Sequence, residues 1–550
     1  MTRDDSPPDT EAERDDGAPS GEDDLVPDGG RDEGRPDDGN DADGTGGPTA
    51  GGPDDTGTAD ASDPADGTDT DAATEELTEE EKQELIQELE RKRSLRGPVA
   101  ALVSLIAVLF SAYQMWLAAR GFIFRFDLFG TTIDLGALQL LQVNAIHVGF
   151  ALVLTFLLFP VSSDEGFLTR RLAGLGSAGE YLAPRFLTSR ERVSPIDWVL
   201  VFLTVLATLY FLTDFGEIQN RIRVLGFGAT RTVGEVYPFL SPIPGLGDTS
   251  YAYLLGVIGV LLVLEATRRA LGTYLMLIVT SFIVYARYAY LIPGDVPYLS
   301  ILATNELQWG AIVQNLWYNT ENGVFGIPVT VSVQFIYIFI LFGAFLEMSG
   351  AGQWFIDLAY SLTGKRKGGP AKASILSSGF MGTISGSSIA NTVTTGAFTI
   401  PLMKRSGYDP EFSGAVEASA SSGGQILPPV MGAAAFLIVE YTLTPYSDVI
   451  VAAAVPALVF FFGVWVMVHL EASRAGITAV ETEDLVTLLP HLKRGWFYLV
   501  PLVLLLYYLI GERLSVARSA WYTIVAIVAL IALVAAYDRS TRTPLLAGIG

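Results

Sequence analysis

The sequence predicts an all-α, polytopic membrane protein with a re-entrant helical hairpin and a broken helix, preceded by a disordered acidic tail. Three observations carry that prediction. Half of the 550 residues are hydrophobic, 11% are aromatic, and the mean hydropathy is +0.38. Apolar runs such as PVAALVSLIAVLFSAYQMWLAA (98–119) and SAWYTIVAIVALIALVAAY (519–537) recur along the chain, each close to the ~20 residues that cross a ~30 Å hydrocarbon core. One uncharged stretch, 373–403, is too rich in Gly, Ser, Thr and Asn for an ordinary lipid-facing span. A single soluble domain has no use for so many apolar runs.

The tail comes first. Residues 1–90 hold 32 acidic and 5 basic side chains, a net of −27, whereas the remaining 460 hold 28 and 30, a net of +2. The formal charge of −25 therefore belongs to the tail and says little about the membrane part. Segment 1–74 lacks the apolar content to form a core and is expected to be disordered. No basic-then-apolar leader precedes it, so no cleavable signal peptide is expected. Residues 75–96 (EELTEEEKQELIQELERKRSLR) read as a charged helix leading to the first span. With no cysteine in the chain, disulfides and thiolate metal sites are excluded.

Candidate spans follow at 98–119, 144–162, 197–214, 251–267, 271–292, 326–348, 415–440, 449–470, 495–511 and 519–537. Basic residues orient them. Arg91, Lys92, Arg93 and Arg96 precede the first span, five arginines lie in 163–195, and Arg268 and Arg269 fall between the fourth and fifth spans. Loop 293–325 carries Asp295, Glu306 and Glu321 and no Lys or Arg. A cytoplasmic N-terminus puts the basic loops inside and the acidic loop outside.

That orientation bears on 373–403. Lys365, Arg366, Lys367 and Lys372 lie before it, and Lys404 and Arg405 after it. A single crossing would strand one cluster outside, whereas a segment that dips in and returns keeps both inside. As one helix its 31 residues would measure roughly 46 Å, long for one span. A re-entrant hairpin is expected. Irregular backbone at membrane depth is tolerated where protein or a water-filled cavity surrounds it. Ser387, Asn391 and Thr395 fall at i, i+4 and i+8, on one face of a helical arm. Their hydroxyl and amide oxygens are hard ligands suited to a small cation. Gly382, Gly386 and Ala390 form a small-xxx-small ladder that serves close helix packing equally well.

The next span, AVEASASSGGQILPPVMGAAAFLIVE (415–440), is uncharged between Glu417 and Glu440 and is interrupted by Gly423, Gly424, Pro428 and Pro429. The prolines remove two amide donors and the glycines permit unwinding. A broken helix beside a Ser/Asn/Thr hairpin is the anatomy of an ion and solute site in a secondary transporter.

The stretch 377–436, SSGFMGTISGSSIANTVTTGAFTIPLMKRSGYDPEFSGAVEASASSGGQILPPVMGAAAF, closely resembles the large membrane subunit of TRAP transporters (tripartite ATP-independent periplasmic transporters). The block ahead of it, with VLEATRRALG at 263–272, looks like the fused small-plus-large permease type associated with TAXI-class binding proteins. The resemblance implies an elevator-type fold, with residues 97–292 as the small-subunit-like region plus first permease spans and 293–550 as the transport region. It implies sodium-coupled uptake of an organic anion of the carboxylate type, delivered by an extracytoplasmic TAXI-like solute-binding protein across the plasma membrane. Mapped residue by residue, it puts Ser385, Ser387, Ser388, Asn391, Gly423 and Gly424 at a sodium site and Thr394, Thr395, Gln425, Pro428 and Pro429 at the solute. It implies no cofactor and no metal beyond sodium, the coupling ion, and no nucleic-acid partner. Stretches 303–319 and 350–363, with Trp309, Trp317 and Trp354, look like interfacial connecting helices. The family's second half carries its own hairpin and broken helix. After residue 440 this chain shows three plain apolar spans, so the C-terminal half of the large subunit is expected to be lacking, and half a transport site with it.

Other function classes are weaker. GKRKGG at 364–369 is not a GxxxxGK[ST] phosphate loop, so ATP hydrolysis is not expected. His147, His469 and His491 sit at span ends without ligand spacing. A proton-coupled or binding-protein-independent anion transporter is the alternative. An intramembrane hydrolase would need a base near Ser385–Ser388, where no His or Lys falls. A channel would need a polar path through several spans.

Overall fold

The computed structural model describes residues 93–119, 125–128, 131–134, 138–161, 192–293, 298, 300–477 and 487–537. The tail 1–74, nearly all of 75–96 and most of the basic loop 163–195 lie outside the described residues. Of the segment expected as a leading helix, 93–96 is non-helical.

Nine helices among the described residues are long and apolar enough to cross a membrane. They are α1 (Pro98–Ala119), α2 (Leu140–Leu158), α3 (Pro195–Thr213), α4 (Tyr251–Ala270), α5 (Thr273–Leu291), α7 (Ile327–Met348), α13 (Tyr446–Arg474), α14 (Leu488–Gly511) and α15 (Val516–Tyr537). They fall on nine of the ten expected spans. Between them lie α6 (Trp309–Trp317), α8 (Ala351–Thr363), α9 (Gly369–Ser385), α10 (Ser388–Arg405), α11 (Pro410–Gly423) and α12 (Ala433–Thr442). The all-α polytopic class holds, apart from one antiparallel pair, β1 (Arg125–Leu128) with β2 (Thr131–Asp134). Hydropathy is blind to that pair, although Phe, Ile and Thr favour strands.

Local chemistry starts and stops these helices. Ser194 caps α3 by accepting from the Asp197 amide, the Asp197 carboxylate accepts from the Ser194 amide, and Pro195 occupies the first turn. This reciprocal pairing satisfies donors a helix start leaves open. Asp197 also takes Arg93 at 2.7 Å and Arg269 at 2.6 Å, all three side chains buried. One carboxylate thus ties the chain before α1 to the start of α3 and the end of α4. Between α3 and α4, Arg231 pairs with Asp214 and Glu217. Partial burial opposes its charge, but the two carboxylates outweigh that and hold the guanidinium more firmly protonated than usual.

Three cores follow. The first joins α2, α3, α4 and the aromatic cluster Trp317, Tyr318 and Phe325. Gly256 and Gly259 open α4 for that cluster: a β-carbon on Gly259 would lie 2.3 Å from the Trp317 ring. The second joins α7, α8, α14 and α15 with residues 430–450. The third joins α9, α10, α11 and the far half of α13. His147 is hydrogen-bonded to Gln114 and Ser332 and links α1, α2 and α7.

The expected connecting helices form as α6 and α8, but two of their tryptophans are inside the protein. Trp317 is fully buried, and Trp354 stacks on His491 against Gly495. Only Trp309 is exposed. Glycines on facing helices made the room, which sequence position alone does not reveal.

Candidate functional site

Helices α9 and α10 are the two arms of the hairpin. Pro370 occupies the first turn of α9, and Gly386 ends it in the left-handed region at φ 60°. That conformation costs glycine little. Ser387 caps α10, its hydroxyl accepting from the Ala390 amide at 3.3 Å. The tip is thus the two residues Gly386 and Ser387. The observed arms extend the expected 373–403 by a few residues at each end.

The broken helix is α11, a short 3-10 turn (Gly424–Ile426), an irregular stretch 427–432, and α12. Several backbone groups of the break find partners within the protein. The Gly432 amide donates to the Gln425 carbonyl at 2.7 Å, and the Tyr446 hydroxyl reaches the Pro429 and Val430 carbonyls, each at 2.8 Å. Such partners are what exposed backbone groups need away from water.

Hairpin and break interlock through glycines. A β-carbon on Gly382 would lie 2.3 Å from the Gly424 α-carbon, and one on Gly386 would lie 2.5 Å from the Met431 carbonyl. The ladder Gly382–Gly386 is therefore a packing seam, as its spacing allows, and it seats the tip on the break. The Gln425 side-chain amide crosses the seam to the Ser388 hydroxyl at 3.0 Å.

Of the residues the resemblance assigns to sodium, Ser385, Ser387, Ser388 and Asn391 cluster at the tip and first turn of α10. Ser387 is exposed, Ser385 and Ser388 are half-buried, and Asn391 is buried. Gly424 touches the first arm at Gly382, while Gly423 faces Phe460 and Phe461. Asn391 donates to the Ser378 carbonyl at 2.8 Å, but its Oδ1 is buried with no donor. A hard oxygen held away from water without a donor is a group a small cation would relieve. Among the solute candidates, Gln425 is exposed, Thr394 and Pro428 are half-buried, and Pro429 is buried in the break. Thr395 turns inward instead.

It turns toward Glu417. Read from the sequence, Glu417 marks the edge of an uncharged stretch; in the fold it is the centre of one. Its side chain is fully buried and accepts hydrogen bonds from five hydroxyls. Ser378, Thr395 and Ser421 reach Oε1, the first at 2.6 Å and the last at 3.0 Å. Ser374 at 2.6 Å and Thr399 at 2.5 Å reach Oε2. The donors form i, i+4 steps, Ser374/Ser378 on α9 and Thr395/Thr399 on α10, and Ser421 stands one turn beyond Glu417 on α11. The signal in the sequence was an ionisable residue inside a membrane segment, which by default marks function.

Residues 258–548 match the family model described as "Tripartite ATP-independent periplasmic transporter, DctM component". The chain is 26% identical over 204 residues to an uncharacterized protein, YgiK, of Salmonella typhimurium, covering 36% of this chain and 45% of that one. It is 28% identical over 171 residues to the C4-dicarboxylate TRAP transporter large permease protein DctM of Pseudomonas aeruginosa, covering 30% and 39%. It is 37% identical over 91 residues to the isethionate TRAP transporter permease protein DctMQ of Oleidesulfovibrio alaskensis, covering 16% and 14%. The matched part thus spans less than half the length of each of these relatives.

Proposed function

From the premise that this chain belongs to the DctM-component family of tripartite ATP-independent periplasmic transporters, we propose that it is a permease for secondary uptake of a small organic anion. The solute is delivered by an extracytoplasmic binding protein of the TAXI type, uptake is driven by a sodium gradient, and the chain sits in the plasma membrane with its N-terminus in the cytoplasm. In this reading residues 97–292 are the fused small subunit with the first permease spans. The hairpin and broken helix are the moving part of an elevator.

One observation carries the reading: a hairpin tip rich in hydroxyl and amide oxygens is seated through Gly382 and Gly424 on a broken helix. Half-helix ends and irregular backbone inside the membrane are where transporters bind ions and solutes. The unpartnered Asn391 Oδ1 supports sodium, whose ligands are hard oxygens. The C4-dicarboxylate and isethionate in the names of two relatives are both small organic anions. Tightly packed glycines at the crossing let the two halves of the site move as one body.

The test is uptake by proteoliposomes. Uptake of a small organic acid should require an inward sodium gradient together with the purified binding protein, and Ser387→Ala or Asn391→Ala should lower it at least ten-fold. Uptake indifferent to sodium, with both substitutions silent, would overturn the sodium site.

A further inference from the structure

We propose that Glu417 is a proton-binding site of the transport cycle, separate from the cation site at the hairpin tip. This rests on the transport reading above and adds a second ion to it.

The first support is the isolation of the carboxylate. Glu417 is fully buried, and its hydrogen-bond partners among the described residues are five neutral hydroxyls. On α13, Asp448 lies near one end and His469, Glu471 and Arg474 near the other, the last two paired with each other, and on α8 Asp357 is held by Gln353. On α8, Tyr360 lies within electrostatic reach, its buried hydroxyl unpartnered. On α9, Lys372 is turned away, its Nζ held by the Lys367 carbonyl at 2.6 Å and by His469 of α13 at 3.1 Å. On α10 no charge falls between Ser388 and Lys404, and on α11 itself the other acid is Glu411 in the first turn. With no counter-charge among these partners, the ionised carboxyl is held by its five donors alone, and a bound proton is the other way to balance the site.

The second support is that the cage serves either protonation state. Hydroxyls donate and accept. With Glu417 ionised, they point their protons at the carboxylate. With Glu417 protonated, its O–H can donate to the Thr395 hydroxyl, which gives its own proton to the Asn391 carbonyl, already 2.7 Å away. Ser378 lies 3.0 Å from the same hydroxyl and can take up the remaining slack. A lysine or arginine partner would fit only the anion, and an apolar pocket only the acid.

The third support is the directness of the contacts. The four hydroxyl contacts of 2.5–3.0 Å run directly to the carboxylate oxygens. Each is a direct hydroxyl-to-carboxylate hydrogen bond, a contact that a proton on the carboxyl can join without adding a ligand. Intramembrane carboxylates in hydroxyl surroundings are the stuff of proton relays.

Position supplies the coupling. The cage joins both arms of the hairpin to α11. Its Thr395–Asn391 bond ends on the residue whose amide also holds the Ser378 carbonyl. The step is balanced and simple: the carboxylate takes one proton from water on the side to which the hairpin opens, and Thr395 redirects its hydroxyl proton from carboxylate to the Asn391 carbonyl.

Two arms test this on the full-length protein. In infrared difference spectra taken across pH steps, the purified protein should show a carboxylic-acid carbonyl band that appears and disappears reversibly. That band should be missing from Glu417→Gln and shifted in Glu417→Asp. In proteoliposomes at a fixed sodium gradient, an inward proton gradient should raise wild-type uptake several-fold. Glu417→Gln should respond to sodium but not to pH, and Glu417→Asp should regain part of the pH response. A band that does not move at any pH means a locked carboxyl and overturns the proposal, whatever uptake does. If Glu417→Gln does not fold, Thr399→Val, which removes one donor from Oε2, should move the pH at which the wild-type band changes. A band unmoved in Thr399→Val then counts against the cage. Absence of uptake under every gradient would sink the transport reading, while the infrared arm would still decide the proton site.

Discussion

Gly424 lacks a side chain because the backbone of Gly382 occupies the space one would fill. A β-carbon there would lie 2.5 Å from the Gly382 α-carbon, and backbone does not move aside as a flexible side chain does. Overpacking of a well-packed site costs about 1–3 kcal/mol, and a backbone obstacle puts the cost at the upper end. Gly424→Ala should therefore lower the melting temperature of the purified protein clearly. Ser422→Ala, two residues earlier and exposed, should leave it within the ±0.5 kcal/mol or so of an ordinary surface change. Equal melting temperatures for the two variants would mean that hairpin and broken helix do not touch at this glycine pair.

At the scale of elements, α3 is anchored by one residue used three times. Asp197 completes the N-terminal box of its own helix and receives Arg93 and Arg269, all out of water. Removing one partner of a buried ion pair costs about 3–5 kcal/mol, because it leaves charge without its counter-charge. Asp197→Ala should accordingly be among the most destabilising single changes outside the hairpin. The Arg231 cluster offers the contrast. Its guanidinium is substantially exposed, and water screens such pairs to about 1 kcal/mol or less. Arg231→Ala should barely shift the thermal unfolding that Asp197→Ala shifts strongly. A reversed order would remove the argument that α1, α3 and α4 are locked together at Asp197.

For the whole molecule, the spans differ sharply in how much protein surrounds them. In α2, 61% of the apolar window is buried, against 6% in α5 and 11% in α13. Apolar side chains left uncovered in a membrane protein meet lipid tails, not water. Photoreactive lipid probes in the bilayer should label α5 and α13 heavily and α2 sparsely, read by mass spectrometry of the digested protein. Labelling of α2 at the level of α5 would contradict the packing of α2 against α1, α3 and α7. The polar cage lies on the covered side of the same asymmetry. Glu417 and its five hydroxyls are enclosed by α9, α10 and α11, so no lipid reaches them.

By itself the sequence determined the polytopic all-α class, nine of the apolar helices, the two-armed hairpin and the place of the break. Those features are local: a run of about 20 apolar residues, a Gly–Ser turn between two small-residue arms, and a Gly-Gly…Pro-Pro interruption each act through their own backbone. The spacing of Ser387 and Asn391 was legible for the same reason, since i, i+4 steps share one face of an arm, whereas Ser385 and Ser388 came from the family resemblance and flank the tip on opposite arms. What only the tertiary structure decided depends on distant partners. Trp317 and Trp354 became core residues because Gly259 and Gly495 made space for them. Thr395 turned from the tip to a carboxylate 22 positions further along the chain. Glu417 changed from a boundary mark to the hub of three helices, because burial and hydrogen bonding of a charge are properties of everything that surrounds it, and no stretch of its own helix contains that information.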